Sequence, residues 1–189
     1  MPSVTLNGAF ARSKQPEVVV ESRQFLTFLV GRESFAMPIE NIREIIEFGG
    51  LTEIPLMPSF LRGVINLRGA VVPVIDLSVR FGRAPTVFAK RTCIIIMELE
   101  QDGQLLLLGV MVDAVSAVLT LDATTIEPRP SFGAGIRAAF IEGMIRVNER
   151  FVVVLDVKEV LSVDELSSLL GLSADGILAG DDRPEVNGG

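Results

Sequence analysis

The sequence predicts a mainly β protein built as two small five-stranded barrels, and three observations carry that expectation. One layout is written twice, as FLRGVINLRGAVVPVIDLSVRFG from Phe60 to Gly82 and FIEGMIRVNERFVVVLDVKEVL from Phe140 to Leu161. At a constant spacing of 80 (143 − 63), Phe60, Gly63, Ile65, Val74 and Asp76 fall on Phe140, Gly143, Ile145, Val154 and Asp156 without a gap. Each copy is preceded by short apolar runs broken by tight-turn residues. Each closes on an aspartate placed to cap a short helix. About five short strands per repeat, with such turns between them, suit two barrels of SH3-like size better than one sandwich.

Residues 1–22 hold Pro2 and Pro16, show no sustained period and read as a flexible lead-in, with Val18 to Val20 as its one run of strand composition. Gln24 to Val30 has the aromatic and β-branched content of a strand, and Gly31-Arg32-Glu33 turns it into Ser34 to Met37. Pro38 suits the first turn of a short helix, Ile39 to Ile42. Arg43 to Phe48 then reads as extended, and Leu51 to Ser59 as a loop with Pro55 and Pro58. In the central stretch, Leu61 to Leu67 and Val71 to Ile75 are strands joined at Arg68-Gly69, where Gly accepts a positive φ. Pro73 cannot donate to a ladder, so its strand is an edge or carries a bulge there. Asp76 caps Leu77 to Phe81, and Gly82 stops the helix.

Arg83 to Arg91 is the hinge into the second repeat. Thr92 to Leu99 and Gln104 to Val112 form a hairpin across Asp102-Gly103. At a spacing of 73 (112 − 39), Val112-Asp113-Ala114-Val115 parallels Ile39 to Ile42 and predicts a second short helix before the strand Val115 to Leu121. Thr124 to Ala139 is the least patterned interior segment, with Pro128, Pro130, Gly133 and Gly135 around Phe132. Val163 to Leu170 is amphipathic and reads as a C-terminal helix. Residues 173–189 are an acidic, Gly-rich, disordered tail. The folded unit is thus 23–172, with repeats at about 24–82 and 91–161. Each repeat is marginal for an isolated core, so the two should fold together.

Composition removes several functions. The 189 residues carry a net charge of −7, against the basic surfaces that nucleic acid and anionic membranes select. No apolar run approaches the roughly 20 residues of a spanning helix, and no secretory h-region follows the N-terminus; the expected location is cytoplasmic. Histidine is absent, which removes the commonest general base and metal ligand. The single cysteine, Cys93, lies in an apolar run and reads as an inert buried thiol. No phosphate-binding, nucleophile-elbow or calcium-loop spacing occurs. No enzyme chemistry and no cofactor is expected.

Binding remains. Glu44 and Arg68 are charged residues at otherwise apolar or turn positions. They are either a solvated pair or a hairpin-tip cation that Glu44 orients toward a partner. Phe132 is either a core plug or an exposed anchor. Arg62 and Arg137 read as solvated charges. A different function, a barrel that binds a small ligand or single-stranded nucleic acid, would use aromatic platforms and a basic groove. Eleven Phe without Trp or Tyr, on an acidic chain, disfavour it.

The run Asn66-Leu67-Arg68-Gly69 with Pro73-Val74-Ile75-Asp76-Leu77 closely resembles the CheW family, the coupling proteins that join chemoreceptors to a histidine kinase. Ile39-Glu40-Asn41-Ile42-Arg43-Glu44-Ile45 upstream is similar to the family's I-D-x-V-x-E-I, and Ile126 to Pro130 matches downstream. The likeness spans about Gln24 to Leu170. It implies two intertwined barrels and a non-enzymatic adaptor recruited to membrane-associated receptor arrays. One face would meet the regulatory domain of a CheA-type kinase, and a groove between the barrels would receive the tip of a methyl-accepting chemoreceptor. It also implies partner-binding roles for Ile42, Glu44, Ile45, Gly63, Arg68, Gly69 and Phe132. Glu127 stands where the family commonly has a basic residue, and the Gly-rich loop after Phe132 is a second departure.

Overall fold

A computed structural model of the chain describes residues 21–101, 103–131, 135–162 and 165–166. The lead-in with Val18 to Val20, Phe132, most of the expected helix at 163–170 and the acidic tail lie outside the described residues; Glu165 and Leu166 are helical. The first repeat supplies β1 (Ser22–Val30), β2 (Glu33–Pro38), a 3-10 turn (Ile39–Asn41), β3 (Ile42–Glu47), β4 (Leu61–Leu67), β5 (Ala70–Asp76) and α1 (Leu77–Arg80). The second supplies β6 (Cys93–Gln101), β7 (Gln104–Val112), β8 (Ala114–Asp122), β9 (Ile141–Val147), β10 (Arg150–Leu155) and α2 (Val157–Leu161).

The strands form two five-stranded sheets, ordered β8-β1-β2-β10-β9 and β3-β6-β7-β5-β4. Neither sheet is one repeat. The first takes β1 and β2 from one copy and β8 to β10 from the other; the second takes β3 to β5 and then β6 and β7. Each exchange is sealed by a parallel pair, β2 with β10 through Ala36 and Val154, and β5 with β7 through Ile75 and Val110. The fold is therefore two SH3-like barrels that trade their first hairpins. This is the intertwined form that the family resemblance implies, with neither barrel built from one contiguous repeat.

The core follows from period-two alternation. On β6, Ile94 and Ile96 face the inside of the second barrel, while Ile95 and Met97 face the space between the sheets. On β1, Phe25 belongs to the first barrel's interior, and Leu26 and Phe28 to the space between. That shared layer is the largest of the three clusters, joining Phe28 and Phe35 of one sheet to Ile75, Leu108 and Val110 of the other. Each such fully buried side chain stabilises the fold by about 1.5–3 kcal/mol. Among the described residues, more buried apolar side chains join the layer between the barrels than fill the interior of either one.

Local features agree with the local chemistry. Arg68 (φ 51°) and Gly69 (φ 88°) make one two-residue hairpin turn, and Asn148 (φ 47°) and Glu149 (φ 62°) make its counterpart. Asp76 accepts from the Ser78 N–H at 2.9 Å, and Asp156 from Lys158 and Glu159 at 3.1 and 3.2 Å. Gly82 takes φ 78° after Phe81.

Two expectations change. β5 is an interior strand, not an edge. Pro73 is tolerated because pairing with β7 begins one residue later, at Val74, and the irregularity lies on the partner strand between Leu61 and Gly63. No second short helix forms at Val112 to Val115. Pro38 starts a 3-10 turn in the first copy, but in the second the Asp113 N–H donates to the Leu29 carbonyl at 3.0 Å and its carboxylate accepts from the Gly31 N–H. Both bonds tie Asp113 to the β1–β2 turn, so the chain bends straight into β8.

Candidate functional site

β3 and β4 are the two outer strands of the second sheet, so closing the barrel brings them together. Arg68, on the β4–β5 turn, reaches across that seam to Glu44 on β3. Its Nη1 lies 2.6 Å from Glu44 Oε1 and its Nη2 2.9 Å from Oε2, a bidentate fork. Of the five guanidinium N–H donors, this fork uses two, and the Arg68 side chain is 71% exposed while that of Glu44 is 23% exposed. The hydrogen bonds from Arg68 hold the Glu44 carboxyl below the ordinary carboxylate range despite some desolvation, and Glu44 in turn raises Arg68. The charge pair is a latch on an open hairpin, with donors left over.

The surroundings of the latch come from the same strands. Asn66 Oδ1 accepts from the Gly69 N–H at 2.9 Å and braces the turn. Arg43 pairs with Glu98 at 3.2 Å. Ile42 is half-buried against the central cluster, whereas Ile45 is exposed on the same strand. Below the latch a cleft of about 410 Å³ opens between β3 and β4, lined by Ile46, Gly50, Thr52, Val64 and Asn66.

Gly63 is different in kind. It is buried, with φ 149°, and a Cβ there would fall on the Thr52 carbonyl oxygen and 2.8 Å from a Leu51 methyl. The loop at Thr52 is bonded to Val64 in both directions at 2.8 Å, so it has little freedom to retreat. Gly143 repeats the arrangement: its Cβ would lie 2.5 Å from Ile126 Cγ2 and 2.7 Å from the Glu127 carbonyl oxygen. Gly63 therefore seats a loop on the edge of β4.

The site thus gathers Glu44, Ile45, Arg68 and Gly69 at one end of the second barrel, leaves Ile42 and Gly63 beneath it, and Phe132 lies outside the described residues. Sequence reasoning missed Val71, which is 70% exposed beside the hairpin. Its signal was available, because inward Val72 makes Val71 outward by alternation. Arg62 and Arg137 are not simply solvated. Arg62 is 3.4 Å from buried Asp76 and lies over the Phe88 ring, and Arg137 lies over Phe140. Cys93 is half-buried rather than buried, with its thiol 3.2 Å from the Arg91 carbonyl. Among the described residues no group of three or more Cys, Asp or Glu could hold a metal ion, and no helix is long and apolar enough to cross a membrane.

Comparison with known proteins converges on one family. The family model described as a CheW-like domain matches residues 24–165. The chain is 33% identical to the chemotaxis protein CheW of Klebsiella aerogenes over 145 residues, covering 77% of this chain and 85% of the relative. It is also 33% identical to the chemotaxis protein CheW of Helicobacter pylori over 156 residues, covering 82% and 91%. The crystal structure of the scaffolding protein TtCheW from Thermoanaerobacter tengcongensis superposes with a TM-score of 0.64 at 34% identity, covering 72% of this chain and 90% of that one. The chain belongs to the CheW-like family of non-enzymatic chemotaxis scaffold proteins.

Proposed function

We propose that this protein is the adaptor that couples methyl-accepting chemoreceptors to a CheA-type histidine kinase, and that it works in the cytoplasm at receptor arrays. The observation that carries the reading is the exposed Arg68 fork on Glu44, with exposed apolar side chains at Ile45, the next residue of β3, and at Val71, two residues after the turn. A desolvatable cation beside apolar area is a common composition for a protein-binding surface. The two barrels give the molecule two similar but non-equivalent ends, as a connector between different partners requires. A connector of this kind carries a signal only by binding one partner with different affinity in the on and off states, and that coupling is reciprocal. No reaction is needed.

The test is the Arg68→Glu variant, titrated against the kinase regulatory domain and against a receptor fragment carrying the cytoplasmic tip. Reversing the charge removes the exposed cation and sets a second carboxylate beside Glu44, and it should cut kinase-domain affinity by about tenfold or more, as loss of an arginine anchor in a binding surface does. Circular dichroism and thermal unfolding should stay close to wild type. Loss of secondary structure together with binding would reassign Arg68 to fold maintenance and remove this site.

A further inference from the structure

The repeat places a cation on one copy only. Arg80 ends α1, and its equivalent at a spacing of 80 is Val160 on α2. The Arg80 side chain is 8% exposed. Its guanidinium lies 4.5 Å from the Phe60 ring centroid and 5.3 Å from that of Phe140, the two aromatics that the duplication makes equivalent. One arginine therefore sits between matching side chains of the two copies, over the seam of the barrels.

Among the described residues its hydrogen bonds all go to α2 and the chain just after it. Nε donates to the Val160 carbonyl at 2.8 Å, and Nη2 donates to Ser162 Oγ and lies 3.3 Å from Glu165 Oε2. Carbonyls in the last turn of a helix have no intrahelical donor, so the first bond satisfies a group α2 leaves open. The second falls on an unusual residue. Ser162 takes φ 42° and ψ 61°, the left-handed cap conformation that glycine adopts without cost and other residues adopt with strain. Its hydroxyl is fixed from both sides, accepting from Arg80 and donating to the Glu159 carbonyl at 3.2 Å. Beyond it the Leu166 N–H returns to the Ser162 carbonyl at 3.0 Å, and Leu166 is fully buried.

We propose that Arg80 is a positioning residue that holds the left-handed turn at Ser162, and through it the path by which the chain leaves the barrel seam. It braces from outside a conformation that a glycine would supply from within. The test compares the full chain with Arg80→Met, Ser162→Gly and the double variant by amide hydrogen exchange. Exchange at Ser162 and Leu166 is read against the sheet amides of β6 and β7. Arg80→Met should raise exchange at those two amides by about tenfold or more, with the sheets unchanged, as local opening does. Ser162→Gly should restore protection in the double variant, because the turn then needs no brace. Arg80→Lys, which keeps the charge but not the fork, should fall between and serves if Arg80→Met does not fold. Wild-type exchange in Arg80→Met, protection lost throughout the sheets in Arg80→Lys as well, or a double variant no better than Arg80→Met would each overturn the proposal.

Discussion

The two copies of the hairpin-and-cap layout, 60–82 and 140–161, share a backbone plan and differ in what their side chains are asked to do. Both glycines seat a loop on a strand edge, and both aspartates cap a helix. Asp76 is fully buried, though, and its carboxylate also accepts from the Thr86 N–H at 2.9 Å and the Thr86 hydroxyl at 2.8 Å, with Arg62 at 3.4 Å. It pins the linker between repeats. Among the described residues the Asp156 carboxylate makes only its two cap bonds. The turns diverge as well: Arg68-Gly69 carries the fork to Glu44, whereas Asn148-Glu149 carries an acid, and the position matching Glu44 is Ala117 (44 + 73). Duplication preserved the parts that satisfy the backbone and released the parts that can specialise.

The sharpest test of that contrast is the pair of aspartates. Asp76→Ala strands two backbone donors, a hydroxyl and an arginine in a buried site and should cost about 3–4 kcal/mol, whereas Asp156→Ala should cost about 1 kcal/mol for a lost cap. Urea unfolding of both variants measures the difference, and equal losses would mean that burial of Asp76 adds nothing. Next come the glycines, where both copies should respond and Gly63, whose φ of 149° adds backbone strain, should respond more. Gly63→Ala and Gly143→Ala should each destabilise by about 2–3 kcal/mol through overpacking against a bonded loop. A neutral Gly63→Ala would show that the Thr52 loop yields freely.

The smallest effect concerns the latch that only one copy has. Glu44 has its carboxyl lowered in the folded state, so its contribution is present above the unfolded value near 4.5 and is lost as pH falls through the lower folded one. Acid titration followed by the chemical shift of the Glu44 carboxyl carbon should show a midpoint below 4.5 that returns upward in Arg68→Met. A midpoint unmoved by that substitution would mean that the fork is not formed in solution.

How much of this was legible in the chain depends on how local the cause is. The turn at Arg68-Gly69, the caps at Asp76 and Asp156 and the stop at Gly82 are decided within four or five residues, and the sequence reads them correctly. The absent helix at Val112 to Val115 was misread because Asp113 is claimed by the β1–β2 turn, a partner more than 80 residues away (113 − 31 = 82). Pro73 was misjudged for a similar reason: where a ladder begins is a property of the neighbouring strand. Glu44 and Arg68 stood out as charges in an apolar pattern. Their meeting depends on closure of a sheet whose edges they occupy.

The sequence by itself determined that one β-rich layout occurs twice, where its turns and caps fall, and which residues interrupt the apolar pattern. Period-two alternation fixes which face a side chain takes, and backbone conformation at a turn is set by its own residues. The tertiary structure alone decided that the repeats exchange their first hairpins, that the main core lies between the barrels, and that Arg68 finds Glu44. Alternation assigns a face but never names the strand that will lie beside it; that choice belongs to the packing of the whole chain.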